Sequence, residues 1–194
     1  MKNPYSIVSD FEESVASFAG YKHAVAVESC TAALFLCLQY RKGSFDGDVV
    51  IPKYTYPGVA ASIVNSGYKI TFADFEWQHI GWYRLCPLDI IDSAKYIAKD
   101  MHGAMAGNSA CLSFHAKKVL PVGRGGMVLT DSKEEYEWLK LARFDGRHEC
   151  PLEKDTIEMP GWNMYMTPEQ AARGLLLFNL LSLHSLSSFL YLRS

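Results

Sequence analysis

The sequence predicts an α/β fold on a mostly parallel, doubly wound sheet. Short apolar runs alternate with helically spaced segments along the chain, the pattern of strand–helix–strand units. The chain has 194 residues, of which 49% are hydrophobic and 21% charged, the size and balance of one globular domain. A single domain over residues 1–194 is expected.

Taken in order, Asp10 to Phe18 places Phe11, Val15 and Phe18 on one helical face, with Gly20 as the stop. His23 to Val27 is a short apolar run and reads as a buried strand. Ser29 suits an N-cap for a helix from Thr31 to Arg41 that ends near Gly43. Asp48 to Ile51 is a strand closed by Pro52, Gly58 to Asn65 a helix, and Tyr68 to Ala73 a strand. Leu88 to Ile91 forms a strand ending at Asp92, followed by a helical patch. Ala110 to Phe114 and Gly126 to Thr130 are strands, and Lys133 to Arg143 is a charged amphipathic helix. Gly146 to Asn163 is polar and irregular, a long loop. A helix from Pro168 to Leu183 closes the series, with Thr167 as its cap and Pro168 at its first position.

A formal net charge of −2 gives no electrostatic reason to expect nucleic acid or an anionic membrane. The N-terminus lacks the apolar core of a secretory signal, and the apolar stretch from Gly174 to Leu183 is too short to span a bilayer. A soluble chain is expected. The five cysteines are scattered without a C-x-x-C pair, which excludes zinc ribbons and thioredoxin-like motifs and fits a reducing, cytoplasmic setting. No metal site is expected.

Four local features carry chemistry. Ser29-Cys30-Thr31 stands between a strand and a helix, where unpaired amides suit a phosphate, although most such junctions are only structural. Pro52-Lys53-Tyr54-Thr55-Tyr56 follows a strand, where an aromatic stacks on a flat ring or simply packs. Asp92 ends a buried strand, so its carboxylate needs a partner: helix amides, or a protonated ring nitrogen. Ser113-Phe114-His115-Ala116-Lys117-Lys118 leads into Gly123-Arg124-Gly125-Gly126, either a solvated turn and hairpin or a loop whose glycines admit a ligand close to backbone.

In this order, the segments Ser-x-Thr-Ala-Ala-Leu, Ile-Pro-x-x-Thr-aromatic, Asp-x-Ala, Ser-Phe-His-x-x-Lys and Gly-x-Gly-Gly resemble the DegT/DnrJ/EryC1/StrS family, as does Gly161-Trp162-Asn163 with Ala171-Ala172. The resemblance runs from about Phe18 to about Leu181. It implies the large domain of a fold-type-I (aspartate aminotransferase-like) enzyme, a three-layer sandwich that uses pyridoxal 5′-phosphate (PLP). By position, Lys118 corresponds to the lysine that carries the cofactor and Asp92 to the partner of the pyridinium nitrogen. Tyr56 takes the place of the stacking aromatic. Cys30, Thr31 and Ser113 take the phosphate-binding places, and Asn163 the phosphate contact offered by a partner subunit in a homodimer with a shared active site. The implied substrates are a nucleotide-linked keto-sugar and an amino acid, glutamate foremost.

The sequence also departs from the family. Cys30 stands where glycine is usual, and Lys95 where Gln or His sits near the cofactor's phenolic oxygen. Tyr165 replaces an arginine. Only 17 residues separate Asp74 from Asp92, where a further strand–helix unit is normal, and the small C-terminal domain is largely absent. A cofactor- or sugar-nucleotide-binding protein with impaired catalysis is therefore the alternative expectation. The family's dehydratase branch has histidine at the lysine position, and Lys118 speaks against that branch.

Overall fold

The computed structural model describes residues 3–184, so the ends of the expected 1–194 domain lie outside the described residues. In chain order the elements are α1 (Ser6–Ala19), β1 (His23–Val27), α2 (Cys30–Tyr40), β2 (Asp48–Pro52), α3 (Pro57–Asn65), β3 (Lys69–Ala73) and β4 (Tyr83–Arg84). There follow β5 (Ile90–Asp92), α4 (His102–Met105), β6 (Ser109–Ser113), β7 (Gly126–Thr130), α5 (Lys133–Ala142), a 3₁₀ turn (Leu152–Lys154) and α6 (Pro168–His184).

Side-chain alternation along the central strands builds the layers. Ala24 and Ala26, Ala110 and Leu112, and Met127 and Leu129 face one apolar core, shared with Phe11 and Val15 of α1 and Ala171 of α6. Their neighbours Val25, Val27, Cys111 and Val128 face a second core, shared with Leu34 and Leu38 of α2, Ile63 of α3 and Leu139 of α5. A period of two along each strand thus divides the buried residues between two helical layers. This is the expected three-layer α/β arrangement.

The sheet between the layers is mixed. Its five-stranded part runs β1-β7-β6-β5-β4, and only β5 and β6 are parallel neighbours. Strands β2 and β3 pair in parallel as a separate ribbon, attached to the β4 side where Val50 and Cys86 exchange hydrogen bonds of 2.8 and 3.1 Å. For β4 and β5, connection length decides the direction. A parallel return needs a crossover of a dozen or more residues, whereas β4 and β5 are joined only by Leu85 to Asp89. They therefore fold back as a hairpin, with Tyr83 opposite Asp92 and Arg84 opposite Ile91. The expected strand from Leu88 to Ile91 accordingly begins at Ile90, because Leu88 and Asp89 belong to the turn.

Helix ends follow their capping residues. Ser29 caps α2 by accepting from the Ala32 amide at 3.1 Å, and Ser132 caps α5 through the Glu135 amide at 3.1 Å. Thr167 and Gln170 form a reciprocal capping box at α6, with contacts of 3.0 and 3.4 Å. Glu12 of α1 accepts from the Ala26 amide at 2.7 Å and from Arg143, fixing α1 and the end of α5 to β1.

Candidate active site

The carboxyl ends of β5 and β6, the start of β7 and the mouth of α2 meet at one place, and most of the expected site residues lie there. The Ser29 side chain takes the Ala32 amide, and its carbonyl takes the Ala33 amide at 3.0 Å. The Cys30 and Thr31 amides remain at the open end of α2, where no intrahelical acceptor exists. Beneath them passes Gly126. A Cβ on Gly126 would lie 2.3 Å from the Ser29 carbonyl carbon and 2.5 Å from the Cys30 nitrogen. Only glycine allows this approach. Ser113 is paired in register with Gly126, so the end of β6, the glycine backbone and the mouth of α2 lie side by side. Such a cradle of donors at a helix N-terminus fits a phosphate group.

Tyr56 and Thr31 converge over Gly58. A Cβ there would stand 2.8 Å from the Tyr56 ring and 2.9 Å from Thr31 Oγ1. The ring itself is 71% exposed, an open aromatic face beside the cradle.

Asp92, the last residue of β5, is only 4% exposed. Its Oδ1 accepts from the Ala94 amide at 2.9 Å and its Oδ2 from the Tyr83 hydroxyl at 2.8 Å. Burial pushes its carboxyl above the ordinary carboxylate range, while the Ala94 amide, the Tyr83 hydroxyl and the Lys118 charge pull it back. Lys118 is half-buried in the loop from Phe114 to Gly125. Backbone bonds close that loop: Phe114 N to Gly125 O at 2.9 Å, and Gly123 N to Phe114 O and Ala116 N to Gly123 O at 3.1 Å each. The fields of Asp92 and Lys118 also reach Cys30, whose thiol is held well above its usual pKa by burial and by the Asp92 charge, with Lys118 opposing. Cys30 is therefore a neutral thiol, directed at the Cys111 carbonyl at 3.5 Å. It contributes its backbone amide rather than a nucleophile.

Two expected residues lie outside this cluster or at its margin. The Lys95 ammonium stands 5.5 Å from the centre of the Trp77 ring, and Trp77 packs edge-on to Tyr83 at 4.8 Å. Asn163 is exposed and donates to Asp145 at 2.9 Å, so its contact lies away from the Asp92–Lys118 group of its own chain.

Sequence reasoning missed Tyr83, and gave no role to Thr55 although it stands in a quoted motif. Tyr83 is 3% exposed, and its hydroxyl joins Asp92 to the Thr55 hydroxyl. The only available sign was a brief alternation, with Tyr83 and Leu85 inward and Arg84 and Cys86 outward. That is too short to identify a strand.

The donor set fits PLP: a cradle for its phosphate, a buried carboxylate for its ring nitrogen, an open aromatic face and an adjacent lysine. Comparison with known proteins agrees. The profile of the DegT/DnrJ/EryC1/StrS aminotransferase family matches residues 1–82 and 88–186. The spore coat polysaccharide biosynthesis protein SpsC of Bacillus subtilis is 30% identical over 216 aligned residues, spanning 87% of this chain and 55% of that protein. The GDP-perosamine synthase of Caulobacter vibrioides is 26% identical over the same shares. The chain thus spans about half the length of these curated relatives. Among solved structures, Helicobacter pylori PseC, an aminotransferase of pseudoaminic acid biosynthesis, superposes with a TM-score of 0.70 at 19% identity. That match covers 94% of this chain and 64% of PseC. AtS13 from Actinomadura melliaura superposes with a TM-score of 0.73 at 20% identity, covering 91% and 60% of the two chains. No helix among the described residues is long and apolar enough to cross a membrane. From the ordered motifs, the cradle and the profile match together, the chain belongs to the DegT/DnrJ/EryC1/StrS aminotransferase family, whose cofactor is pyridoxal 5′-phosphate.

Proposed function

We propose that this chain transfers an amino group from an amino acid, glutamate foremost, to a nucleotide-linked keto-sugar. The observation that carries the reading is the meeting of Asp92, Lys118 and the Ser113–Gly126–Cys30 cradle at one sheet edge. When bound, PLP supplies a carbonyl that captures amines and a ring that accepts electrons from the adjoining carbon. The Cys30 and Thr31 amides with the Ser113 hydroxyl hold its phosphate. Asp92, when ionised, accepts from the protonated ring nitrogen and so keeps the proton there. Tyr56 covers one face of the ring and excludes water from it. Lys95, beside the Trp77 ring, would be the side chain to donate to the phenolic oxygen. The Lys118 amine would anchor the cofactor and, when free, would take up or deliver a proton at the substrate carbon.

Residues 1–194 act in this reading as one cofactor-binding large domain of a homodimer. The exposure of Asn163 supports a role at a second copy's site. All five cysteines are free, which supports a reducing, cytoplasmic setting.

The test is the visible spectrum of the protein with added PLP, before and after borohydride, beside Lys118→Ala. A band present only in the parent, with cofactor retained through denaturation after reduction, is the expected result. Its absence from the parent would overturn the assignment of Lys118. Amino transfer is then read with glutamate and keto-sugar nucleotides as the pair. A trapped cofactor without any transfer would leave a cofactor-binding protein in place of an enzyme.

A further inference from the structure

The family profile is interrupted over residues 83–87, the segment that makes β4 and the turn into β5. Within that interruption stands Tyr83, which meets the Asp92 carboxylate at 2.8 Å in a buried setting. We propose that Tyr83 is a positioning residue, holding Asp92 ionised and correctly turned for the cofactor's ring nitrogen. This rests on the PLP reading given above.

An ionised carboxylate only accepts hydrogen bonds, and it can take more than one at each oxygen. Asp92 receives one fixed donor on each: the Ala94 amide on Oδ1 and the Tyr83 hydroxyl on Oδ2. Two donors from different elements set the plane of the carboxylate and leave acceptor capacity for a third donor, the ring nitrogen. Tyr83 is suited to permanent donation, because burial and the Asp92 charge keep its phenol protonated far beyond its usual range. It is itself held from the opposite side. The Thr55 hydroxyl donates to it from the loop that carries Tyr56, and Trp77 packs on its ring at 4.8 Å. The chain Thr55–Tyr83–Asp92 therefore links the loop with the open aromatic face to the carboxylate that pairs with the ring. The other titratable groups around Asp92 are Lys118, whose charge favours ionisation, and the buried thiols of Cys30 and Cys111, which stay neutral. Tyr83 is the one side-chain hydroxyl bonded to Asp92 among the described contacts. Without it, a buried carboxyl with one backbone donor would favour its protonated form, and a neutral carboxyl lacks the charge that holds a proton on the ring nitrogen.

The experiment compares the parent with Tyr83→Phe, which keeps the ring against Trp77, and with Thr55→Val, which loosens the tyrosine from outside. First, the Asp92 side-chain carboxyl is titrated by ¹³C NMR in protein freed of cofactor. The proposal expects a higher midpoint in Tyr83→Phe and a smaller rise in Thr55→Val. An unchanged or lower midpoint in Tyr83→Phe overturns it, since a purely structural tyrosine would affect melting but not this titration. Second, PLP affinity is measured from the bound-cofactor spectrum. Roughly tenfold weaker binding is expected on losing a hydrogen bond to a charged group. Equal or tighter binding by Tyr83→Phe overturns the proposal and makes Tyr83 a plug over the carboxylate. If the parent forms no Lys118-dependent adduct, the cofactor reading fails, and the carboxyl titration still decides whether Tyr83 holds Asp92.

Discussion

Burial holds the Asp92 carboxyl above the ordinary range, so an unfolded aspartate ionises at a lower pH than this one. Between the two values the native state binds the extra proton and loses stability as the pH rises, and above the folded value the loss is constant. Asp92→Asn removes that penalty. In cofactor-free protein at neutral pH, we expect this variant to melt a few degrees higher than the parent and to bind PLP far more weakly. Calorimetry across pH checks the sign, because the gap in melting temperature should widen from acid to neutral. The same ionisation governs cofactor affinity, which should fall on acidification at a higher pH than an unperturbed carboxylate would allow. Gly126 is a second sensitive position. Its missing Cβ is what lets β7 pass so near Ser29 and Cys30, since an added Cβ would stand 2.3–2.5 Å from their backbone atoms. Gly126→Ala should cost about 3 kcal/mol, as overpacking against rigid backbone does, measured by urea denaturation. Asp92, Lys118, Tyr56 and the cradle residues could be proposed from the sequence because their motifs are local. Tyr83 was not, because its role exists only once a two-residue strand pairs with β5.

Among the elements, α2 does double duty through Ser29. The serine closes the Ala32 and Ala33 amides and leaves those of Cys30 and Thr31 at the open mouth of the helix. Ser29→Ala should lower stability by about 1 kcal/mol. It should also weaken PLP binding, read from the same spectral titration, since the helix mouth loses its fixed geometry. The elements that sequence placed best, β1 and β7, are five-residue apolar runs bounded by turn residues. Their local pattern and their burial say the same thing. Strand direction was another matter. A parallel sheet was the natural expectation from alternating strands and helices, but direction depends on what each connection can span. The hairpin from β4 to β5 has no room for a crossover. Asn163 shows a similar limit, since its contact with Asp145 joins residues 18 apart beside a bridge between Phe144 and Asn163 that no periodicity reveals.

For the molecule as a whole, a ligand that binds only the native state raises stability by mass action. PLP at a hundredfold excess over its dissociation constant contributes about 2.7 kcal/mol, a rise of roughly 5–10 °C in melting temperature for a chain of this size. Lys118→Ala should lose most of that rise while melting like the parent without cofactor, which differential scanning fluorimetry would show. The protein does not resist opening uniformly, however. The β2–α3–β3 limb, which carries Thr55 and Tyr56, is joined to the main sheet through a backbone exchange between Val50 and Cys86 and the Thr55–Tyr83 hydroxyl contact, besides its packing on α2. Strands β6 and β7 are enclosed between neighbours. The limb is thus placed to act as a separate cooperative unit, and its amides should trade hydrogen for deuterium well before those of β6 and β7. Cofactor capture would slow that trade in a region it touches only through one aromatic ring, so that closing the ring's face and completing the fold become the same event.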